Sequence, residues 1–252
     1  MRADRRMIPE LPPHDACLFF DVDGTLVDIA PTPDAVAVAP GLLDDLASAE
    51  RLCGGALALV SGRSVAQLDR LFAPRRFTAS GVHGAEFRFA DGPVWTKVEP
   101  LPSTLRDEIL AVARDFPASI VEDKGFSVAV HYRAAPDTGP RLRDALDSVR
   151  EARGDGGLVL LPGHFVFELK RPGVDKGAAI AELMGRAPFA GRCPVFVGDD
   201  VTDLPGFAAA EARGGRAYGV GRDLPGTRGT FADPAAVRSW LGAFASRGGR
   251  PA

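Results

Sequence analysis

Two carboxylates two residues apart, Asp21 and Asp23 in "CLFFDVDGTLVDI", stand at the end of an apolar run. Such a pair suits phosphoryl transfer. Asp21, with an unperturbed pKa of about 4, is ionised at neutral pH and can attack phosphorus without a base. Asp23 can protonate the departing oxygen and later activate water. A carboxylate attacking among phosphate oxygens requires a cation, and Mg²⁺ prefers oxygen ligands. Gly24 permits a tight turn, and the backbone N–H groups of Gly24 and Thr25 can hold phosphate oxygens. Two rival readings exist. An Asx-type turn capping a helix uses the same residue types. A calcium loop needs an acid at its fifth position, Gly at the sixth and Glu at the twelfth; counted from Asp21 these are Thr25, Leu26 and Thr32, which excludes it.

Further parts follow in chain order. Ser61, after "ALALV", is expected to open a helix, so that its hydroxyl and the helix N-terminus bind phosphate. Arg63 in "SGR" either pairs with phosphate or sits in the first turn of that helix. His83 in "GVHGAE" either lines the cleft and touches substrate or is a loop histidine. Lys176 in "GVDKGAAI" opens another helix and offers a fixed positive charge. "VGDDVTD" sets Asp199, Asp200 and Asp203 after another apolar run, where two or three acids can complete a Mg²⁺ shell.

The elements needed to position these residues are legible. "ACLFF", "ALALV" and "CPVFV" are short, uniformly apolar runs, each followed by a helix pattern, which argues for a parallel sheet covered on both faces. Ligands bind beyond the carboxyl ends of such strands, and Asp21, Ser61 and Asp199 each stand at one. The middle of the chain has another rhythm: helix, strand, strand, helix, strand, strand. Lys124-Gly125 marks a hairpin between the first two strands, and Pro162-Gly163 separates the last two. The expected organisation is a lead-in over 1–13 that is disordered, an α/β core over 14–100 and 173–252, and an inserted α+β domain with an antiparallel sheet over 101–172. "RAYGV" reads as a late strand and "PAAVRSWLGAFA" as the closing helix.

Composition narrows the function classes. The 252 residues carry a formal charge of -3 and are 46% hydrophobic, so no basic excess points to nucleic acid or a membrane surface. The longest apolar runs are too short to span a bilayer, and "MRADRRMIPELPP" lacks the apolar segment of a signal peptide. Cys17, Cys53 and Cys193 form no CxxC and read as free thiols of a cytoplasmic protein. No GxxxxGK[ST] is present, which sets aside a P-loop kinase, and "GVGRDLPG" is not a GxGxxG.

The order "DVDGT", "SGR", "DKG", "GDDVTD" resembles the haloacid-dehalogenase superfamily of phosphatases. The resemblance implies a Rossmann-like core, Asp21 as nucleophile, Asp23 as general acid/base, and Ser61 and Lys176 on phosphate. It implies Mg²⁺ on Asp21, the Asp23 carbonyl and Asp199, with Asp203 nearby, and a cap domain that closes over the substrate. Through "SGVHGAE", "VEDKGFSVAVHYR", "FELKRPGVDKG" and "GDDVTDL" the chain is similar to trehalose-6-phosphate phosphatases. That likeness implies trehalose 6-phosphate as substrate, functional coupling to a trehalose-6-phosphate synthase, and Glu122, Lys124 and Glu168 on sugar hydroxyls. Leu204 stands where that family usually has an acid. Charged side chains make the stronger hydrogen bonds to a hydroxyl-rich ligand. On the last cap strand His164, Val166 and Glu168 share one face, and Phe165, Phe167 and Leu169 the other. A phosphatase of sucrose phosphate or of a glycosyl-glycerate phosphate would carry the same core motifs. A catalytically silent sugar-phosphate sensor would not need the nucleophile.

Overall fold

The computed structural model describes residues 12–30, 35–154, 157–163 and 165–248. The expected disordered lead-in and the face assigned to His164 lie outside these residues, apart from residues 12 and 13. The chain divides into two compact units, Met1–Trp95 with Asp175–Ala252, and Thr96–Val174.

The elements in chain order are β1 (Ala16–Phe20), α1 (Leu42–Leu52), β2 (Leu57–Val60), α2 (Val65–Leu71), β3 (Thr78–Gly81), β4 (Glu86–Arg88) and the short β5 (Trp95–Thr96). Then come α3 (Ser103–Arg114), β6 (Ile120–Asp123), β7 (Ser127–His131), α4 (Gly139–Glu151), β8 (Val159–Gly163) and β9 (Val166–Lys170). The first unit resumes with α5 (Lys176–Met184), β10 (Cys193–Gly198), α6 (Leu204–Glu211), β11 (Arg216–Val220), β12 (Thr230–Phe231) and α7 (Pro234–Ala245).

The first unit is built on a sheet of order β12-β11-β10-β1-β2-β3-β4-β5. Every residue of β1 and β2 is buried, as central strands covered on both faces require. β1 pairs in parallel with β10 and with β2. From β1 the chain proceeds to β2 on one side, and from β10 to β11 on the other. The strand order therefore reverses between β1 and β10, and that switch point is where an open α/β sheet leaves a crevice. The sheet departs from the all-parallel expectation at β4, which runs antiparallel to β3. No apolar run announces β4: Phe87 is buried, but Arg88 beside it is buried too, its two terminal nitrogens donating to the Asp69 carboxylate and the Phe77 carbonyl. Both sheet edges end in two-residue strands, which limits exposed backbone.

Helix starts carry their own signals. Asp233 accepts from Ala236 N at 2.7 Å ahead of Pro234, and Asp175 accepts from Ala178 N at 2.8 Å at the head of α5. In α1, Leu42, Leu46 and Ala49 form a buried stripe.

The second unit is a four-stranded antiparallel sheet of order β6-β7-β9-β8. Leu105 and Ile109 of α3 and Leu142 and Leu146 of α4 pack with Val128, Val130, Phe167 and Leu169 in one core, so those sheet residues mark the helix-covered face. Pro162 and Gly163 do not separate β8 from β9; they belong to β8, opposite Phe167 and Val166. Pro162 is tolerated because β8 is an edge strand.

Candidate active site

β1 and β10 end side by side, with Phe20 opposite Val197. Asp21 N donates to the Val197 carbonyl at 2.9 Å, so the ladder continues through the first acid. Asp199 follows Gly198 at the end of β10. Asp21, Asp199 and Asp203 bring one carboxylate oxygen each within 4.8 Å of one another. Asp21 is 5% exposed, Asp203 fully buried and Lys176 2% exposed. The Lys176 ammonium donates to Asp21 Oδ1 and to Asp203 Oδ1, both at 2.6 Å. The other Asp203 oxygen accepts from the backbone N–H groups of Asp199 and Asp200, both at 3.0 Å. Thr25 Oγ1 lies 3.4 Å from both Asp21 Oδ2 and Asp199 Oδ1.

Two glycines make this packing possible. Gly24 takes φ 81, and a Cβ there would lie 2.3 Å from Asp199 Oδ2. A Cβ on Gly198 would lie 2.4 Å from the Asp203 carboxyl carbon.

Burial pushes the Asp21 carboxyl well above its ordinary value; Lys176 opposes the rise, while Asp203 and Asp199 add to it. Burial, followed by the Asp203 charge, pushes Asp199 up to about 6. Burial alone would lower Lys176, but Asp203 and Asp21 outweigh it and raise it. The ordinary carboxylate value expected of Asp21 from sequence therefore does not hold in the bare cluster. One ammonium does not offset the gathered carboxylates, and a bound dication would favour their ionised forms. The donor set, carboxylate oxygens with no thiolate or imidazole, fits a hard cation such as Mg²⁺. Asp21 and Asp199 have oxygens not committed to Lys176 or to backbone. Asp203 has neither oxygen uncommitted, and its contacts hold Lys176 and the Asp199–Asp200 backbone in place.

Asp23 and Arg63 meet. Arg63 Nε and Nη2 donate to the two Asp23 oxygens, each at 2.7 Å. Ser61 does not open α2. The helix begins at Val65, and Ser64 caps it in a reciprocal box with Gln67. Ser61 lies in the preceding turn, where its hydroxyl accepts from Arg63 N at 3.2 Å. His83 belongs to a tight turn with φ 47 at Val82 and φ 55 at His83, unusual for any side chain and especially for valine. That turn is bonded to the Ser61 loop: Val82 N donates to the Arg63 carbonyl and His83 N to the Ser61 carbonyl, both at 2.9 Å. The imidazole covers Gly62, where a Cβ would meet Nε2 at 2.6 Å.

Glu122, Lys124 and Glu168 form a separate cluster in the second unit. Glu122 and Glu168 both pair with Ala129 and so share its sheet face, opposite the helices. Lys124 Nζ lies 3.6 Å from Glu168 Oε1 and 3.8 Å from Glu122 Oε2. Sequence reading did not single out Ser127 and His131. Ser127 Oγ donates to Glu168 Oε1 at 2.5 Å, and His131 Nε2 lies 3.4 Å from Glu122 Oε2. The signal was available in "SVAVH", whose alternation sets Ser127, Ala129 and His131 on one face.

The chain matches the trehalose-phosphatase family model over residues 19–224. It is 38% identical over 231 residues to a probable trehalose-phosphate phosphatase of Sinorhizobium fredii (strain NBRC 101917 / NGR234), covering 90% of this chain and 87% of that protein. It is 40% identical over 227 residues to the trehalose-6-phosphate phosphatase of Escherichia coli (strain K12), covering 88% and 84%. Among solved structures, a trehalose-6-phosphate phosphatase related protein superposes with a TM-score of 0.75 at 25% identity, over 92% of this chain and 98% of that one. A Bacteroides thetaiotaomicron phosphatase of the haloalkanoate (HAD) enzyme superfamily shares the fold, with a TM-score of 0.59 at 15% identity, over 96% and 99%.

Proposed function

The chain belongs to the trehalose-phosphatase family, a family of phosphoric monoester hydrolases, and on that premise we propose that it hydrolyses trehalose 6-phosphate to trehalose and phosphate through an aspartyl-phosphate. The observation that carries the mechanism is the buried chain Asp21–Lys176–Asp203 with Asp199 beside it. An Asp21 oxygen attacks phosphorus, the bond from phosphorus to the sugar oxygen breaks, and Asp23 gives that oxygen its proton. A water then attacks the phosphorus, Asp23 takes its proton, and the Asp21 carboxylate is released with phosphate. Mg²⁺, held by Asp21 and Asp199 with the Asp23 carbonyl as a further ligand, would offset the negative charge between nucleophile and phosphoryl oxygens. Asp203 acts by holding Lys176 and the Asp199 backbone.

Lys176 and the Ser61 hydroxyl would bind the phosphoryl oxygens, whereas the N–H groups of Gly24 and Thr25, expected from sequence to share that task, donate to the Val27 and Val22 carbonyls at 2.8 and 3.3 Å. Arg63 grips Asp23 at rest; incoming phosphoryl oxygens compete for that guanidinium and free Asp23 for proton transfer. His83 keeps the Ser61 loop in shape. Glu122, Lys124 and Glu168, joined by Ser127 and His131, supply donors and acceptors for the hydroxyls of an otherwise uncharged disaccharide.

A phosphate-release assay with Mg²⁺ over a panel of sugar phosphates tests this reading. Trehalose 6-phosphate should give the highest kcat/KM, and excess chelator should abolish turnover. A clear preference for sucrose phosphate or a glycosyl-glycerate phosphate would overturn the substrate, and full activity after metal stripping would overturn the mechanism.

A further inference from the structure

The loop after β10 carries three acids, yet only Asp199 and Asp203 join Asp21 in the cluster. Asp200 is engaged elsewhere. Its Oδ1 accepts from Val201 N at 2.7 Å and from Arg222 Nη2 at 2.7 Å. The same guanidinium sends Nε to the main-chain carbonyl of Asp199 at 3.2 Å. Arg222 lies just past β11, the neighbour of β10, after Gly221, whose φ of 73 turns the chain. The Asp199–Asp200 backbone is thus gripped twice. Asp203 holds its N–H groups from the buried side, and Arg222 holds the Asp199 carbonyl from the solvent side.

We propose that Arg222 is a positioning residue for the divalent cation: it clamps the Asp199–Asp200 segment so that the Asp199 carboxylate stays aimed at Asp21, and it keeps Asp200 from drawing the ion away. The inference rests on the reading of Asp21 and Asp199 as cation ligands. Its attraction is that charge and geometry predict opposite signs. A guanidinium beside a cation site repels the cation, so by Coulomb's law alone its removal tightens binding. If the clamp matters more, its removal loosens Asp199 and weakens binding, as loss of a partner that orients a ligand does.

The test is Mn²⁺ binding to the full chain followed by electron paramagnetic resonance of free Mn²⁺, with Mg²⁺ in competition, for wild type, Arg222→Ala and Arg222→Lys. Arg222→Ala should raise the dissociation constants of both ions by about tenfold. Its melting temperature without metal should barely move, because exposed ion pairs contribute little to stability. Arg222→Lys keeps the charge but not the fork that reaches both acceptors, so it should lie nearer to Arg222→Ala than to wild type. Unchanged or tighter binding in Arg222→Ala overturns the clamp, as does Arg222→Lys behaving as wild type should Arg222→Ala fail to fold. Absence of binding by the wild-type protein overturns the cation reading itself, and the clamp with it.

Discussion

Lys176 is the single ammonium between two buried carboxylates, and its removal should be felt before any catalysis is measured. Lys176→Ala leaves Asp21 and Asp203 without their shared counter-charge, an arrangement that costs about 3–5 kcal/mol. Urea unfolding should show that loss without metal, and Mg²⁺ should recover part of it. An unchanged midpoint would mean that the cluster is far better solvated than its burial indicates. Asp21→Asn should lower kcat by about 10⁴-fold or more, since an amide is a poor nucleophile at phosphorus; phosphate release measures it. Asp199 gives a pH dependence with an unusual sign. An acid whose pKa is raised on folding binds its proton more tightly in the native state. Without metal, its ionisation costs stability above about 6, and that cost disappears as pH falls through about 6 towards 3.8. Metal requires the ionised form, so Mg²⁺ should raise the melting temperature more at pH 7.5 than at pH 5.5. In Asp199→Asn the Mg²⁺ increment should be small and nearly the same at both values.

Elements carry these side chains to their places, and α5 does so under a tight constraint. A Cβ on Gly177 would lie 2.4 Å from the Pro205 carbonyl oxygen, in the packing of α5 on α6. Backbone cannot swing aside as a side chain can, so Gly177→Ala should cost about 1–3 kcal/mol. It should also lower kcat by displacing Lys176, and thermal melts with parallel assays would separate the two effects. If stability falls and kcat holds, the helix yields without carrying its first residue along. The same elements explain what could be read from sequence. β1, β2 and β10 are buried on both faces, and uniform apolar runs record that directly. Asp21, Lys176 and Asp199 follow because each stands at a strand end or helix start. β4 was not legible, because three residues with a buried arginine look like no strand. The start of α2 was misplaced because two serines precede it, and only the reciprocal bond of Ser64 with Gln67 decides between them. Arg63 meeting Asp23, and Arg222 meeting Asp200, depend on loops from distant parts of the chain, and no local pattern encodes them.

At the scale of the molecule, chemistry and sugar recognition are assigned to different units, and two substrates can interrogate them separately. A hydrogen bond to a charged group contributes roughly 1.5–3 kcal/mol. Glu168→Ala should therefore reduce kcat/KM for trehalose 6-phosphate by about 10- to 150-fold while hydrolysis of a small aryl phosphate changes little. Equal losses on both substrates would assign Glu168 to the folding of its sheet instead. Asp21 raises a different point, since its amide extends the ladder between β1 and β10. Neighbouring strands run about 4.7–4.9 Å apart, so the Asp21 backbone is placed by the interstrand repeat, whereas that of Asp199 is held by the Asp203 and Arg222 side chains. A backbone group held in this way opens only when the strands part. The amide hydrogen of Asp21, bonded to Val197 where the β1–β10 ladder ends and buried there, should exchange with deuterium as slowly as those of the core strands, an uncommon trait for the backbone of a residue proposed as a nucleophile.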